Sequence, residues 1–131
     1  MIRYLLDTNA VIALLNDAKS PISKKLRRHQ PGNIGISSIV IYELYYGAYK
    51  SQRVEHNVSV VEKLQFPVVK FDEEDARESG KIRAALAQKG TPIGPLDLLI
   101  AGQAKARHLT LITNNTKEFK RIAGLKIEDW Q

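Results

Sequence analysis

Three stretches of this chain are nearly stripped of charge, and in each the one charge left is a carboxylate. Between Arg3 and Asp17 it is Asp7, from Ile34 to Tyr49 it is Glu43, and between Lys89 and Lys105 it is Asp97. With 26% of all residues charged, stretches of that length are expected to hold roughly four charges each. Each acid has a plain reading of its own. Asp7 suits a helix N-cap, Glu43 suits a lysine partner or a rim position, and Asp97 suits the positive end of a helix dipole. One reading covers all three. Carboxylates that meet at one place repel one another and need protons or a cation to relieve them. A hard divalent ion does this through oxygen ligands, and Mg²⁺ takes few protein carboxylates and keeps several waters. The chemistry such a site suits is phosphodiester hydrolysis, in which the ion generates the nucleophile from water and neutralises the phosphate.

The elements that must position these acids alternate along the chain. Ile2 to Leu6 is a short apolar run that reads as a buried strand ending at Asp7. Thr8 is a candidate cap for the helix that follows, through about Asn16. Ser20-Pro21 opens a basic helix toward His29, with proline at the first helical position, and Pro31-Gly32-Asn33 is a turn. Ile34 to Ile36 reads as a second strand, and Ser37-Ser38 caps a long apolar helix through Tyr49 that carries Glu43. A helix follows from about Arg53 to Leu64, then a third strand from Phe66 to Phe71. Asp72 and Asp75 have capping-box spacing and open an amphipathic helix that Gly90 ends. Gly94-Pro95 opens the helix that carries Asp97, to about Arg107. Leu109 to Thr113 and Leu125 to Ile127 read as the last two strands. Strands separated by helices imply an α/β fold with a parallel sheet of four or five strands flanked by helices, in one domain spanning residues 1–131. Ligands in such sheets bind beyond the carboxyl ends of the strands.

Composition narrows the chemistry. The 131 residues suffice for one sizeable core. There is no cysteine, so disulfides, thiolate zinc sites, iron–sulfur clusters and cysteine nucleophiles are excluded. His29, His56 and His108 are too dispersed for a metal-ligand motif. G-x-S-x-G, Walker A, G-x-G-x-x-G and H-E-x-x-H sequences are all missing, which disfavours serine hydrolases, P-loop NTPases, dinucleotide enzymes and zincins. The net charge is +6 with a pI near 9.6, a balance that suits a polyanionic partner such as nucleic acid. The apolar run from Ala10 to Leu15 is too short to span a bilayer, and the expectation is a cytoplasmic protein without a membrane partner.

Four segments together resemble one family. Leu6-Asp7-Thr8-Asn9, Ser37-Ser38 followed by Glu43, Gly94-Pro95-Leu96-Asp97, and Leu111 to Phe119 are similar, in this order and spacing, to PIN-domain ribonucleases. The resemblance runs over essentially the whole chain. It is closest to the VapC toxins of type II toxin–antitoxin systems, in the enteric branch, whose segments read much like Gly90 to Pro95 and Ile127-Glu128-Asp129-Trp130. What the resemblance implies is a PIN-like three-layer sandwich and a Mg²⁺- or Mn²⁺-dependent endoribonuclease that arrests translation. It assigns Asp7, Glu43 and Asp97 as metal ligands. It adds Glu118 as a fourth acid, while Asn115 stands where some PIN proteins have aspartate. Thr8, Asn9, Thr113 and Asn115 are then candidates to orient the carboxylates. The implied substrate is RNA, with tRNA first and the initiator tRNA anticodon stem-loop first among its sites. The implied partners are a VapB antitoxin, whose C-terminal segment covers the acids, and a second copy in a homodimer within a larger complex. Attack by water rather than by the 2′-hydroxyl would leave 5′-phosphate and 3′-hydroxyl ends.

Several features carry two readings. Lys117, Lys120 and Arg121 follow the fourth strand and are candidate RNA contacts, or else a solvated face. Lys19, Lys24, Lys25, Arg27 and Arg28 are open to the same pair of readings. Tyr42, Tyr45, Tyr46 and Tyr49 suit either an aromatic surface for a partner helix or core packing with hydroxyls at the rim. A receiver-like phosphorylation switch lacks its adjacent acids here. A flap-type nuclease needs an arch that this length leaves little room for, and a dehalogenase-like phosphatase needs Asp-x-Asp where this chain has Asp7-Thr8-Asn9. The remaining alternative on the same fold is a catalytically inactive RNA- or protein-binding module.

Overall fold

The computed structural model describes residues 1–131. Five strands form one sheet: β1 (Tyr4–Leu6), β2 (Ile34–Ser37), β3 (Val68–Val69), β4 (Thr110–Ile112) and β5 (Ile127–Glu128). All are parallel, in the order β3-β2-β1-β4-β5. Leu6 of β1 aligns with Ile36 of β2 and Ile112 of β4, so the carboxyl ends of the three inner strands finish level. Leu5, Leu6, Ile34, Ile36, Leu111 and Ile112 are all buried, as expected for a parallel sheet covered on both faces. The chain travels outward from β1 through β2 to β3, then returns across to β4 and β5. The strand order therefore reverses between β1 and β4, and beyond the carboxyl ends of that pair lies the crevice such sheets use for ligands.

Seven helices connect the strands: α1 (Thr8–Asn16), α2 (Pro21–Leu26), α3 (Ser38–Tyr49), α4 (Val54–Glu62), α5 (Glu73–Gln88), α6 (Pro95–Ala106) and α7 (Thr116–Phe119). None is long and apolar enough to cross a membrane. Their caps are those the residue types favour. Ser20 and Ser37 cap α2 and α3, and Asp72 with Asp75 forms a reciprocal capping box on α5. Gly90 follows α5 at a φ of 68°, a left-handed conformation that glycine adopts without strain.

Four expectations need correction. Asp7, not Thr8, caps α1: Asp7 Oδ1 accepts from the Ala10 N–H at 2.8 Å. The third strand is two residues rather than six, because Pro67 has no N–H to give the ladder and only its carbonyl takes part, accepting from Ile36 N–H. The fifth strand begins at Ile127, since Leu125 is drawn into a turn through Gly124, whose φ is 80°. The segment after the fourth strand holds a short helix, α7, where the sequence reading has none.

Long-range contacts along their whole length join α5 to α6, the helix that carries Asp97. Gly102 packs so tightly on Ser79 that a β-carbon there would meet Ser79 Oγ and sit 2.8 Å from Ser79 Cα. At the other end, Arg107 grips the fully buried Asp75 with Nε at 3.1 Å from Oδ1 and Nη2 at 3.0 Å from Oδ2. Gln103 Nε2 donates to the Val69 carbonyl at 3.1 Å, tying α6 to the edge strand.

Candidate active site

Each acid reaches the carboxyl edge of the sheet on a different element. Asp7 directly follows β1, and its backbone N–H donates to the Ile112 carbonyl at 3.1 Å, so the ladder holds it to β4. It is 4% exposed. Glu43 comes from the middle of α3 and is half-buried. Asp97 sits in the first turn of α6, where Gly94 and Pro95 start the helix. Glu118 comes from α7, immediately after β4.

The electrostatics place the four side chains in one field. Burial pushes the Asp97 carboxyl up to about 6, and the charges of Glu43, Asp7 and Glu118 add to it. Burial also raises Asp7. The Thr113 hydroxyl and the Ala10 N–H pull it back, while Glu43 and Asp129 raise it further. No cation relieves this repulsion. The ion pairs of the chain are Lys81–Glu78, Lys105–Glu78, Arg107–Asp72 and Arg107–Asp75, all elsewhere. The lysine partner open to Glu43 in the sequence is not there.

Neutral donors orient the acids instead. Thr8, released from capping by Asp7, donates Oγ1–H to Glu43 Oε1 at 2.7 Å. Asn115 Nδ2 donates to Glu118 Oε2 at 3.3 Å, so the amide that stands in place of an acid holds the neighbouring one. Thr113 is buried, and its hydroxyl oxygen accepts from the Asn115 N–H at 3.0 Å. Asn9 is exposed, and its side chain makes no hydrogen bond with any of the acids. Lys117 and Lys120 are exposed beside Glu118. Arg121 is turned away to the Pro92 carbonyl, to which Nη1 donates at 3.1 Å.

Asp129 is the acid that sequence reasoning passed over. It follows β5 much as Asp7 follows β1, and its charge acts on Asp7. Trp130, buried at 3% exposure and bonded through Nε1 to Glu128 at 2.9 Å, pins this segment. An acid immediately after a strand was the available signal.

No three acids close tightly enough to chelate an ion by themselves. The donor set still fits Mg²⁺ or Mn²⁺: it is all oxygen, has no paired cation, and is repulsive when empty. An ion that keeps most of its waters needs only one or two direct carboxylates.

The PIN domain model matches residues 4–125. The chain belongs to the PIN-domain family. Within it the chain is similar to VapC proteins over its full length. It is 42% identical to a tRNA(fMet)-specific endonuclease VapC of Shigella flexneri, and 43% identical to one of Salmonella typhimurium, with 99% of each chain covered in both cases. Among solved structures it is similar to DNA-bound VapBC from Salmonella typhimurium, with a TM-score of 0.94, 43% identity and complete coverage of both chains. VapBC2 from Rickettsia felis, bound to a DNA fragment from its promoter, has a TM-score of 0.92, 40% identity and the same coverage. The PIN-like sandwich implied by the four sequence segments is thus the fold observed. These VapC relatives match the chain end to end, so the four acids lie inside the region shared with them.

Proposed function

We propose that this chain is the toxin of a VapBC-type pair, an endoribonuclease that uses Mg²⁺ or Mn²⁺ to cleave tRNA and so arrests translation. The observation that carries the reading is the meeting of Asp7, Glu43, Asp97 and Glu118 at the strand-order reversal with no cation among them. The names of the VapC relatives support both the reaction class and initiator tRNA as the first substrate to test. The solved VapBC complexes support a VapB antitoxin as partner.

In this reading Asp7, Glu43 and Asp97 would together hold the ion, directly or through its waters. When bound, it supplies positive charge against the phosphate and acidifies a water for attack. Thr8 keeps Glu43 turned into the site. Asn115 occupies Oε2 of Glu118, which leaves Oε1 to take the proton of the attacking water. With water as nucleophile the products carry 5′-phosphate and 3′-hydroxyl ends. A groove of about 360 Å³ between α1, α3 and α4 borders Glu43 and is lined by Ile12, Leu15, Leu44 and Val61. It suits the apolar side chains of an antitoxin segment laid across the acids. Homodimerisation and a cytoplasmic location belong to the same reading.

The test is cleavage of total RNA and of purified tRNA by antitoxin-free protein with Mg²⁺ or Mn²⁺, beside a chelator control and Asp7→Asn. Discrete fragments that vanish with chelator and with Asp7→Asn are expected, and mapping their ends names the target. Intact RNA from folded, ion-loaded protein sinks the nuclease reading in favour of an inactive binding module.

A further inference from the structure

We propose that a basic cleft between α5, α6 and the segment after α7 is a subsite for backbone phosphates of the RNA, a reading that rests on the ribonuclease assignment. The cleft is about 210 Å³, and Lys81, Lys89, Lys105 and Arg121 line it. Its floor is apolar, with Ile82 and Ile122 among its residues. One carboxylate, Glu78, faces these four cations. It is shared between Lys105 at 3.5 Å and Lys81 at 3.7 Å, so a single negative charge is divided and Lys89 has no acidic partner.

Two connections join the cleft to the acids, one along the chain and one through a hydrogen bond. Arg121 lies one turn beyond Glu118, with its N–H donating to the Glu118 carbonyl at 3.1 Å. Its guanidinium grips the Pro92 carbonyl, in the segment that leads to Asp97. An acidic crevice repels a polyanion, so the attraction that brings RNA to it must come from cations nearby, within a screening length of about 8 Å or continuous with it. A concave basic surface with apolar walls concentrates its field better than a convex one. The other basic cluster, Lys24, Lys25, Arg27 and Arg28, is exposed on and just after α2. That segment leads to the far end of β1, where the His29 ring packs 4.8 Å from Tyr4. The cleft also has room for a phosphate group but not for a base pair, which suits contact with the backbone rather than sequence readout.

The experiment measures tRNA binding by Asp7→Asn protein, which holds substrate without cutting it, across a salt series. The double substitution Lys81→Gln/Lys89→Gln is compared with Lys24→Gln/Lys25→Gln, which removes the same charge. The cleft pair is expected to weaken binding about tenfold and to lower the slope of log K against log salt by about 1 to 2, near one for each phosphate contact. The α2 pair is expected to leave the slope unchanged. Equal effects of the two pairs, or none from the cleft pair, overturn the proposal. Cleavage by the chain with Asp7 intact separates the two readings. If RNA is cut but the cleft pair binds normally, only the subsite falls. If no RNA is cut in any ion while the cleft pair still lowers the slope, the nuclease reading falls and the subsite stands. If the protein binds no RNA even at low salt, both fall.

Discussion

The Thr8 hydroxyl lies 2.7 Å from Glu43 Oε1, joining the first turn of α1 to the middle of α3. Asp7 makes this contact available by taking over the cap of α1. The two residues at the end of β1 thus divide the work: one caps and carries charge into the crevice, and the other aims a carboxylate from a different helix.

Thr8→Val removes the donor without changing the shape. Glu43 then loses its orientation, and loss of such a supporting contact typically weakens ion binding by about 10- to 100-fold. The expected result is a rise of that size in the Mg²⁺ concentration needed for half-maximal cleavage, with little change in thermal stability. Thr8→Ser keeps the hydroxyl and is expected to restore the ion dependence. An unchanged Mg²⁺ dependence in Thr8→Val refutes the positioning role.

Asp97 sets a pH dependence. Its folded value of about 6 lies above the ordinary 3.8. A carboxyl raised in this way stabilises the fold below about pH 4 and loses that contribution as pH rises through about 6. In ion-free protein the Asp97 contribution to Tm is therefore expected to fall over this range. Ion binding needs the deprotonated form. The Tm gain on adding Mg²⁺, and cleavage at limiting Mg²⁺, should both increase from about pH 5 to pH 7. Asp97→Asn removes one of four repelling charges. It is expected to abolish cleavage while raising the ion-free Tm at pH 7 by about 3–5 °C, the equivalent of about 1 kcal/mol. A lowered Tm contradicts the repulsion.

Arg107 is predicted to matter for stability rather than for the reaction. Its Nε and Nη2 hold both oxygens of the buried Asp75. Arg107→Ala leaves that carboxylate with the Asp72 N–H of its own capping box at 2.9 Å and, from α6, only the weak donor Gln103 Nε2 at 3.4 Å. The expected cost is about 3 kcal/mol, at the low end for a broken buried pair because the guanidinium edge reaches water. Arg107→Lys cannot restore the forked geometry and should recover only part of it. Urea denaturation measures both variants, and a cost below about 1 kcal/mol for the alanine variant rules out a structural ion pair.

At Gly102 the helices α5 and α6 pack with no room for a β-carbon. A β-carbon there meets both the side chain and the Cα of Ser79. Rotating the serine side chain cannot clear the backbone, so α5 and α6 must separate. Gly102→Ala is expected to cost at least about 1–3 kcal/mol in urea denaturation, although alanine favours helix by close to 1 kcal/mol. A neutral or stabilising result shows that the helices yield without penalty.

The sequence was most legible where structure depends on near neighbours. The capping box of Asp72 and Asp75, the Ser20-Pro21 helix start and the mainly apolar inner strands each arise from residues within a few positions of one another. It was least legible at the sheet edges. At β3 the ladder depends on where Pro67 falls against β2, and at β5 on how Gly124 turns the chain. The exposure of Tyr42, Tyr46 and Tyr49 was open in the sequence as well. Their helical spacing is the same whether α3 turns them inward or out.

By itself the sequence determined that Asp7, Glu43 and Asp97 are isolated carboxylates in apolar segments, one after a strand, one within a helix and one at a helix start. Those properties follow from composition and local periodicity, and they already imply a shared edge. Only the tertiary structure decided their partners. Thr8 and Glu43 are 35 residues apart, Arg107 and Asp75 are 32 apart, and Asp129 acts on Asp7 from the other end of the chain. Such pairs depend on strand order and on the angles at which helices cross the sheet. The same packing left the four acids without an ion-pair partner, so this edge holds no internal salt bridge.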